Sequence, residues 1–283
     1  MEVDSLPPNG LESSRKVEEC PFHRLNSISG HCPPYNPPMA QLSVNVNKVA
    51  TLRNTRHLDI PNVIKVSRIS LDAGAHGITV HPRPDQRHIR PQDVYDIANL
   101  LETSYPQAEF NIEGNPFDQY MHYAKDVRPT QCTLVPDTRD VPTSNTGWDL
   151  TPANLDRLRP VVKELKDHGS RVSLFLNPQL EQVERAAKLG ADRIELYTEP
   201  YAAAFARGDA RAADPYVAAA NRAKELGLEV NAGHDLNLDN LPPLVRQIPF
   251  LAEVSIGHAL IADALELGLA ETVRRYVRAA RAQ

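Results

Sequence analysis

Residues Gly77 to Arg90 read GITVHPRPDQRHIR, a short apolar strand running into two histidines, His81 and His88, and three arginines, Arg83, Arg87 and Arg90. Pro91 follows at once, and Val94, Ile97, Ala98 and Leu101 behind it form an apolar stripe at helical spacing. The segment is a strand, a loop and a helix in sequence. The loop is basic enough to hold an anionic, phosphorylated ligand. A solvated basic connection would look the same in isolation, so the rest of the chain has to decide.

The same unit recurs from Leu42 onward. Short β-branched runs near 42–47, 77–81, 109–113, 131–135, 171–176, 193–197, 228–231 and 253–257 alternate with helical stretches. One helix carries Leu155, Leu158, Val162 and Leu165; it opens at Thr151-Pro152, bends at Pro160 and closes at Gly169. The last shows Leu269, Val273, Tyr276 and Ala280 on one side. Eight strands, each followed by a helix, predict a (β/α)8 TIM barrel over residues 41–283, whereas an open doubly wound sheet more often stops at five to seven strands. Residues 1–40 form a proline-rich N-terminal extension, with Pro7, Pro8, Pro21, Pro33, Pro34, Pro37 and Pro38, that reads as extended or partly disordered. Its Cys20, His23, His31 and Cys32 match no usual zinc-finger spacing, so no metal site is expected there.

Strand phase tests the barrel. If Val44 and Val46 face the outer helices, Asn45 and Asn47 face the axis. The same phase turns Thr79, His81, Asn111, Glu113, Ser173, Asn177, Glu195, Tyr197, Asn231 and Ser255 inward, and Ile78, Val80, Ile112, Ile194, Leu196, Val230, Val254 and Ile256 outward. Every outward residue is aliphatic. Barrel interiors are normally filled by branched apolar side chains, so polar groups gathered toward the strand ends indicate a ligand site at the C-terminal mouth.

Composition limits the alternatives. A formal charge of -5 argues against a general nucleic-acid binder, three cysteines make no disulfide framework, and no run approaches the roughly 18 apolar residues of a membrane helix. The N-terminus lacks a secretory pattern, which predicts a cytoplasmic protein.

His81, Glu113 and His234 sit at or just beyond strand ends, two imidazoles and a carboxylate suited to repeated proton transfer. Glu195 is an inward carboxylate that is either a salt-bridge partner or a stabiliser of a cationic intermediate. Anions have two candidate places. One is the set Arg53, Arg56, Arg83, Arg87 and His88. The other is Gly257-His258, leading into a short helix at Ala262 to Leu267. Two phosphorylated substrates, or one bisphosphate, would fit.

The ordered blocks SVNVNKVATLRNTR, GITVHPRPDQRHI, NIEG, TLVPDTRD, RVSLFLN, RIELYT, VNAGHDL and SIGHAL, spanning Leu42 to the C-terminus, resemble the pyridoxine 5'-phosphate synthase family. The resemblance implies a (β/α)8 enzyme that joins 3-amino-2-oxopropyl phosphate to 1-deoxy-D-xylulose 5-phosphate, giving pyridoxine 5'-phosphate, phosphate and water without metal or organic cofactor. It implies a homo-oligomer, an octamer, with no nucleic-acid or membrane partner. By resemblance, His81 and Glu113 are proton acceptors, His234 the proton donor and Glu195 the transition-state stabiliser. Asn45, Arg56, Gly257 and His258 correspond to contacts with the aminooxopropyl phosphate, and Arg83, His88 and Thr143 to contacts with the deoxyxylulose phosphate. The loop holding Thr143 corresponds to a lid. Asn47-Lys48 stands where many members carry Asp-His at a substrate contact, and Asp235 stands where glycine is common. These departures keep a second reading in view, a non-catalytic barrel of the same descent that binds a phosphorylated metabolite. A metal-dependent barrel hydrolase is disfavoured, because Asn45-Val46-Asn47 replaces the His-x-His such enzymes need.

Overall fold

The computed structural model describes residue 1, residues 39–137 and residues 144–282. Eight parallel strands close into a barrel in chain order: β1 (Gln41–Asn45), β2 (Gly77–Val80), β3 (Glu109–Gly114), β4 (Gln131–Leu134), β5 (Arg171–Leu176), β6 (Arg193–Tyr197), β7 (Glu229–Gly233) and β8 (Glu253–Ile256), with β8 paired to β1. Each strand read from the sequence is present, its ends moved by no more than two residues. Around them run α1 (Asn47–Asn54), α2 (Val63–Asp72), α3 (Pro91–Ser104), α4 (Tyr120–Val127), α5 (Pro152–Asp167), α6 (Leu180–Leu189), α7 (Glu199–Ala206), α8 (Asp214–Glu225), α9 (Leu241–Gln247), α10 (His258–Leu267) and α11 (Leu269–Ala280). The sequence reading of residues 2–38, including Cys20, His23, His31 and Cys32, and that of Thr143 fall outside the described residues. Among the described residues no helix is long and apolar enough to cross a membrane.

The strand phase holds. Val44, Ile78, Val80, Ile112, Ile194, Leu196, Val230, Val254 and Ile256 are buried under the helices. The α5 signals act as read: the Thr151 side chain accepts from Asn154 N–H, Pro152 occupies the first turn, and Gly169 takes φ +89° beyond the end. On α11, Val273, Tyr276 and Ala280 are buried, and Tyr276 Oη donates to Asp263 on α10 (2.7 Å).

The axis is polar well below the strand ends, at positions that the strand phase turned inward. Ser43 Oγ lies 2.6 Å from Thr79 Oγ1, Asn111 Nδ2 donates to Thr79 Oγ1 (3.4 Å), and Thr133 Oγ1 donates to Asn111 Oδ1 (3.0 Å). Toward the N-terminal ends, Arg193 donates to Gln131 (2.9 Å) and pairs with Glu229 (2.6 Å), with Glu253 at 3.7 Å, while Arg171 pairs with Glu109. Burial disfavours the ionised form of Glu109, but hydrogen bonds from His76 and Arg171 outweigh it and lower the pKa to about 2. In Glu253 burial wins over Arg193 and pushes the carboxyl up to about 7. The apolar core therefore sits between sheet and helices.

Candidate active site

Asn47, expected to continue β1, begins α1 instead. Asn45 Oδ1 accepts from Asn47 N–H (3.0 Å) and turns the chain, and Asn47 Oδ1 then accepts from His81 N–H (2.9 Å). Asn47 thus fixes the backbone of His81 from an adjacent loop. Arg53, grouped with the anion ligands in the sequence reading, is buried. It donates to both carboxylate oxygens of Asp93 (2.5 and 2.9 Å) and to His88 O (3.1 Å). Asp93 also accepts from Arg90 N–H (2.7 Å) where Pro91 starts α3, so one ion pair ties α1, the basic loop and α3 together. Arg56 is exposed on the turn after α1 and does not line the cleft.

The basic loop brings His81 between two carboxyl groups, with Nδ1 3.7 Å from Glu113 Oε2 and Nε2 3.7 Å from Asp137 Oδ2. Burial, reinforced by Arg83, His88 and Arg87, pushes the His81 pKa well below the usual imidazole range. Its ring is neutral, with one nitrogen free to accept a proton. Arg83 donates to Asp137. His88 Nδ1 accepts from Ile89 N–H (3.0 Å), which leaves its hydrogen on Nε2, and burial, then Arg83 and Lys48, lower its pKa to about 4.

Glu113, next to last in β3, accepts from Asn45 Nδ2 and Ser255 Oγ (3.4 Å each). Burial raises its pKa against the pull of Ser255, with Asp137 and Glu253 adding to the rise. Glu195, on β6, is raised further by burial and by Glu113, and its Oε2 has no hydrogen-bond partner among the described residues. Gly233 makes room for it: a Cβ there would lie 2.3 Å from Glu195 Oε1.

Beyond β7, His234 and Asp235 take left-handed backbone angles in succession, φ +89° and +58°. Such angles cost non-glycine residues about 1–2 kcal/mol each. Thr198 Oγ1, 2.7 Å from Gly233 O and 2.6 Å from His234 O, fastens the turn by sharing its one hydrogen between the two carbonyls. The His234 ring meets Tyr197 edge-on at 5.1 Å, and its Nδ1 lies 3.1 Å from Asp235 Oδ2. His234 holds the Asp235 carboxyl below its usual range. At β8, Gly257 leads directly into α10, which starts at His258 rather than near Ala262; a Cβ on Gly257 would stand 3.2 Å from Asn45 Cβ.

These residues share one cleft of about 330 Å³. Asn45, Asn47, Lys48, His81, Arg83, His88, Glu113, Glu195, His234, Asp235, Gly257 and His258 line it, with Val135, Ser144, Phe175 and Ser255 completing the wall. Its floor holds the two raised carboxyls and its rim the cations. Val135, Phe175 and Tyr197 pack as an apolar group on the side of β4 to β6, the Phe175 and Tyr197 rings 5.4 Å apart. Sequence reasoning did not single out Asp137, Ser144 or Phe175. Asp137 carried a signal, being a carboxylate two residues past a strand end.

Comparison with known proteins identifies the family. Residues 42–282 match the family model described as pyridoxal phosphate biosynthesis protein PdxJ. The chain belongs to the PdxJ family. It is 55% identical over 238 residues to the pyridoxine 5'-phosphate synthase of Porphyromonas gingivalis, covering 84% of this chain and 98% of the relative. It is 53% identical over 242 residues to that of Brucella anthropi, covering 85% and 98%. Solved structures similar in fold include a Mycobacterium tuberculosis tryptophan synthase (TM-score 0.60, 11% identity, 86% of this chain and 93% of that one). Phosphoribosylanthranilate isomerase from Thermotoga maritima is another (TM-score 0.52, 14% identity, 87% and 100%). At such identities the likeness extends to the barrel alone. In this PdxJ chain, Asn47, Lys48 and Asp235 all lie on the cleft wall.

Proposed function

We propose that the chain acts as a pyridoxine 5'-phosphate synthase, a transferase that condenses 3-amino-2-oxopropyl phosphate with 1-deoxy-D-xylulose 5-phosphate and releases phosphate and water. The observation that carries this reading is the convergence of His81, Glu113, Glu195 and His234 on one cleft whose rim offers two separate places for an anion. Gly257, His258 and Asn45, at the N-terminus of α10, receive the phosphate of the aminooxopropyl substrate. Arg83 and His88 receive the sugar phosphate; neutral His88 donates through Nε2–H.

Amine attack on the ketone, dehydration, phosphate loss and ring closure each move protons. His81, held neutral, accepts them, and Glu113, whose raised pKa of about 8 leaves it protonated at rest, accepts in turn once it has passed its own proton on. His234, on its fastened turn, donates. Glu195 lies beneath the reacting atoms, where a developing cation would favour its ionised form. The apolar face of Val135, Phe175 and Tyr197 keeps one side dry, so these transfers are not lost to bulk water. Asn47, Lys48 and Asp235 add further polar contacts at the rim. Homo-oligomeric assembly and a cytoplasmic location belong to the same proposal.

Purified protein incubated with both substrates should release phosphate together with pyridoxine 5'-phosphate; absence of product from fresh substrates would overturn the assignment. His81→Ala, Glu113→Gln and His234→Ala should each lower turnover about a hundredfold or more. A near wild-type rate in any of them removes that residue's role.

A further inference from the structure

Asp137 is buried just beyond β4, and several groups converge on its Oδ2. Arg83 Nη2 and Ser144 Oγ (2.7 Å) donate to it, and His81 Nε2 lies 3.7 Å away. Asn115 Nδ2 donates to the Asp137 carbonyl (2.8 Å), which anchors the backbone that carries the carboxylate.

A carboxylate in this position carries two penalties. It repels the phosphate expected beside it, and burial opposes its ionisation strongly enough to raise its pKa despite Ser144 and Arg83. Some use of the charge should offset them, and His81 supplies one. A neutral imidazole has one N–H and one lone pair, on opposite ring nitrogens. With hydrogen on Nε2, the ring points a donor at Asp137 and a lone pair at Glu113, whose carboxyl burial favours in the protonated, donating form. With hydrogen on Nδ1, a lone pair would face the Asp137 carboxylate.

We propose that Asp137 is a positioning residue for the sugar-phosphate half of the site: it holds the Arg83 guanidinium at the cleft wall and selects the His81 tautomer that carries hydrogen on Nε2 and offers Nδ1 as the base. The kinetic consequence rests on the synthase reading. The tautomer does not, so the two can fail separately.

The test combines long-range proton–nitrogen correlation spectra of 15N-histidine-labelled protein with steady-state kinetics, on wild type, Asp137→Leu, Asp137→Asn and Asp137→Glu. The His81 signal is assigned by its loss in His81→Gln. Wild-type His81 should carry hydrogen on Nε2. Asp137→Leu, which keeps a branched side chain and removes the acceptor, should move population to the Nδ1–H form. It should also raise KM for the deoxyxylulose phosphate about tenfold or more, while KM for the aminooxopropyl phosphate stays within about twofold. Asp137→Asn, a neutral acceptor of the same shape, should shift both readouts less in the same direction, and it carries the test if the leucine variant does not fold. Asp137→Glu should restore both in part. Hydrogen on Nδ1 in wild type, an unchanged tautomer in the leucine and asparagine variants, or parallel rises in both KM values would overturn the proposal. So would a lower KM for the sugar phosphate, which would show the carboxylate merely competing for Arg83. An inactive wild type would remove the synthase reading and leave the tautomer for the spectra to decide.

Discussion

Glu253→Gln should abolish a pH dependence of stability that originates deep in the barrel. Glu253 is 1% exposed, and burial, partly opposed by Arg193 and reinforced by Glu109, raises its pKa from 4.5 to about 7. The folded protein therefore binds this proton more tightly than the unfolded chain does. The stability from this group is fully present below about pH 4.5 and is lost as pH rises through about 7, after which it stays constant. A shift of about 2.5 units at about 1.4 kcal/mol per unit gives a loss on the order of 3 kcal/mol. Glutamine keeps the volume and can still meet Gln131 and Asn231, but it never ionises. Denaturant unfolding of both proteins from about pH 4 to about pH 8 should show wild type losing about 3 kcal/mol relative to the variant across that interval. Glu109, lowered to about 2, acts in a separate window, its contribution fading only as pH falls below about 4.5. A flat difference between the two proteins over the whole range would refute the view of Glu253 as a proton-holding buried carboxyl.

Other consequences are equally open to measurement. Arg53→Ala leaves the Asp93 carboxylate buried without its bidentate partner and should destabilise the protein by about 3–5 kcal/mol in chemical unfolding; a loss below about 1 kcal/mol would show the pair to be dispensable. Gly257→Ala places a Cβ 3.2 Å from Asn45 Cβ and O, so one of them must shift. KM for the aminooxopropyl phosphate should then rise several-fold, and an unchanged value would count against the start of α10 as a phosphate site. Gly233→Ala sets a methyl 2.3 Å from Glu195 Oε1 and should cut kcat about tenfold or more by displacing that carboxyl; normal turnover would mean that Glu195 can move without consequence.

The eight strands were legible because the outward positions are apolar, aliphatic apart from Phe110 and Cys132, while most inward positions are polar, a period that survives whatever fills the axis. The same phase brought His81, Glu113 and Glu195 to the axis side, and the strand-end rule brought His234 and Gly257 to the mouth. Asn47 was misread because β-branched Val46 prolongs the strand pattern, while the Asn45 side chain ends it with a local hydrogen bond that periodicity does not encode. Arg53 and Arg56 looked equivalent in sequence. Only the return of α3 beside α1, with Asp93 in its first turn, makes one a buried anchor and leaves the other in solvent. Asp137 went unnoticed for a related reason, since its partners lie across three different strand ends. The cluster of Arg171, Arg193, Glu109 and Glu253 was likewise hidden, because inward phase alone does not show which interior positions meet at the same height.

The hydrogen-bonded axis also governs how this barrel can drift. Where aliphatic side chains fill an interior, swaps of similar volume are tolerated one at a time. Here Ser43, Thr79, Asn111 and Thr133 are linked in series, so losing any one leaves a buried neighbour unsatisfied, at about 1–3 kcal/mol. Neutral paths through sequence space then require coordinated replacements on neighbouring strands. A library randomised at positions 43, 79, 111 and 133 should return covarying sets, with isolated changes depleted among folded survivors.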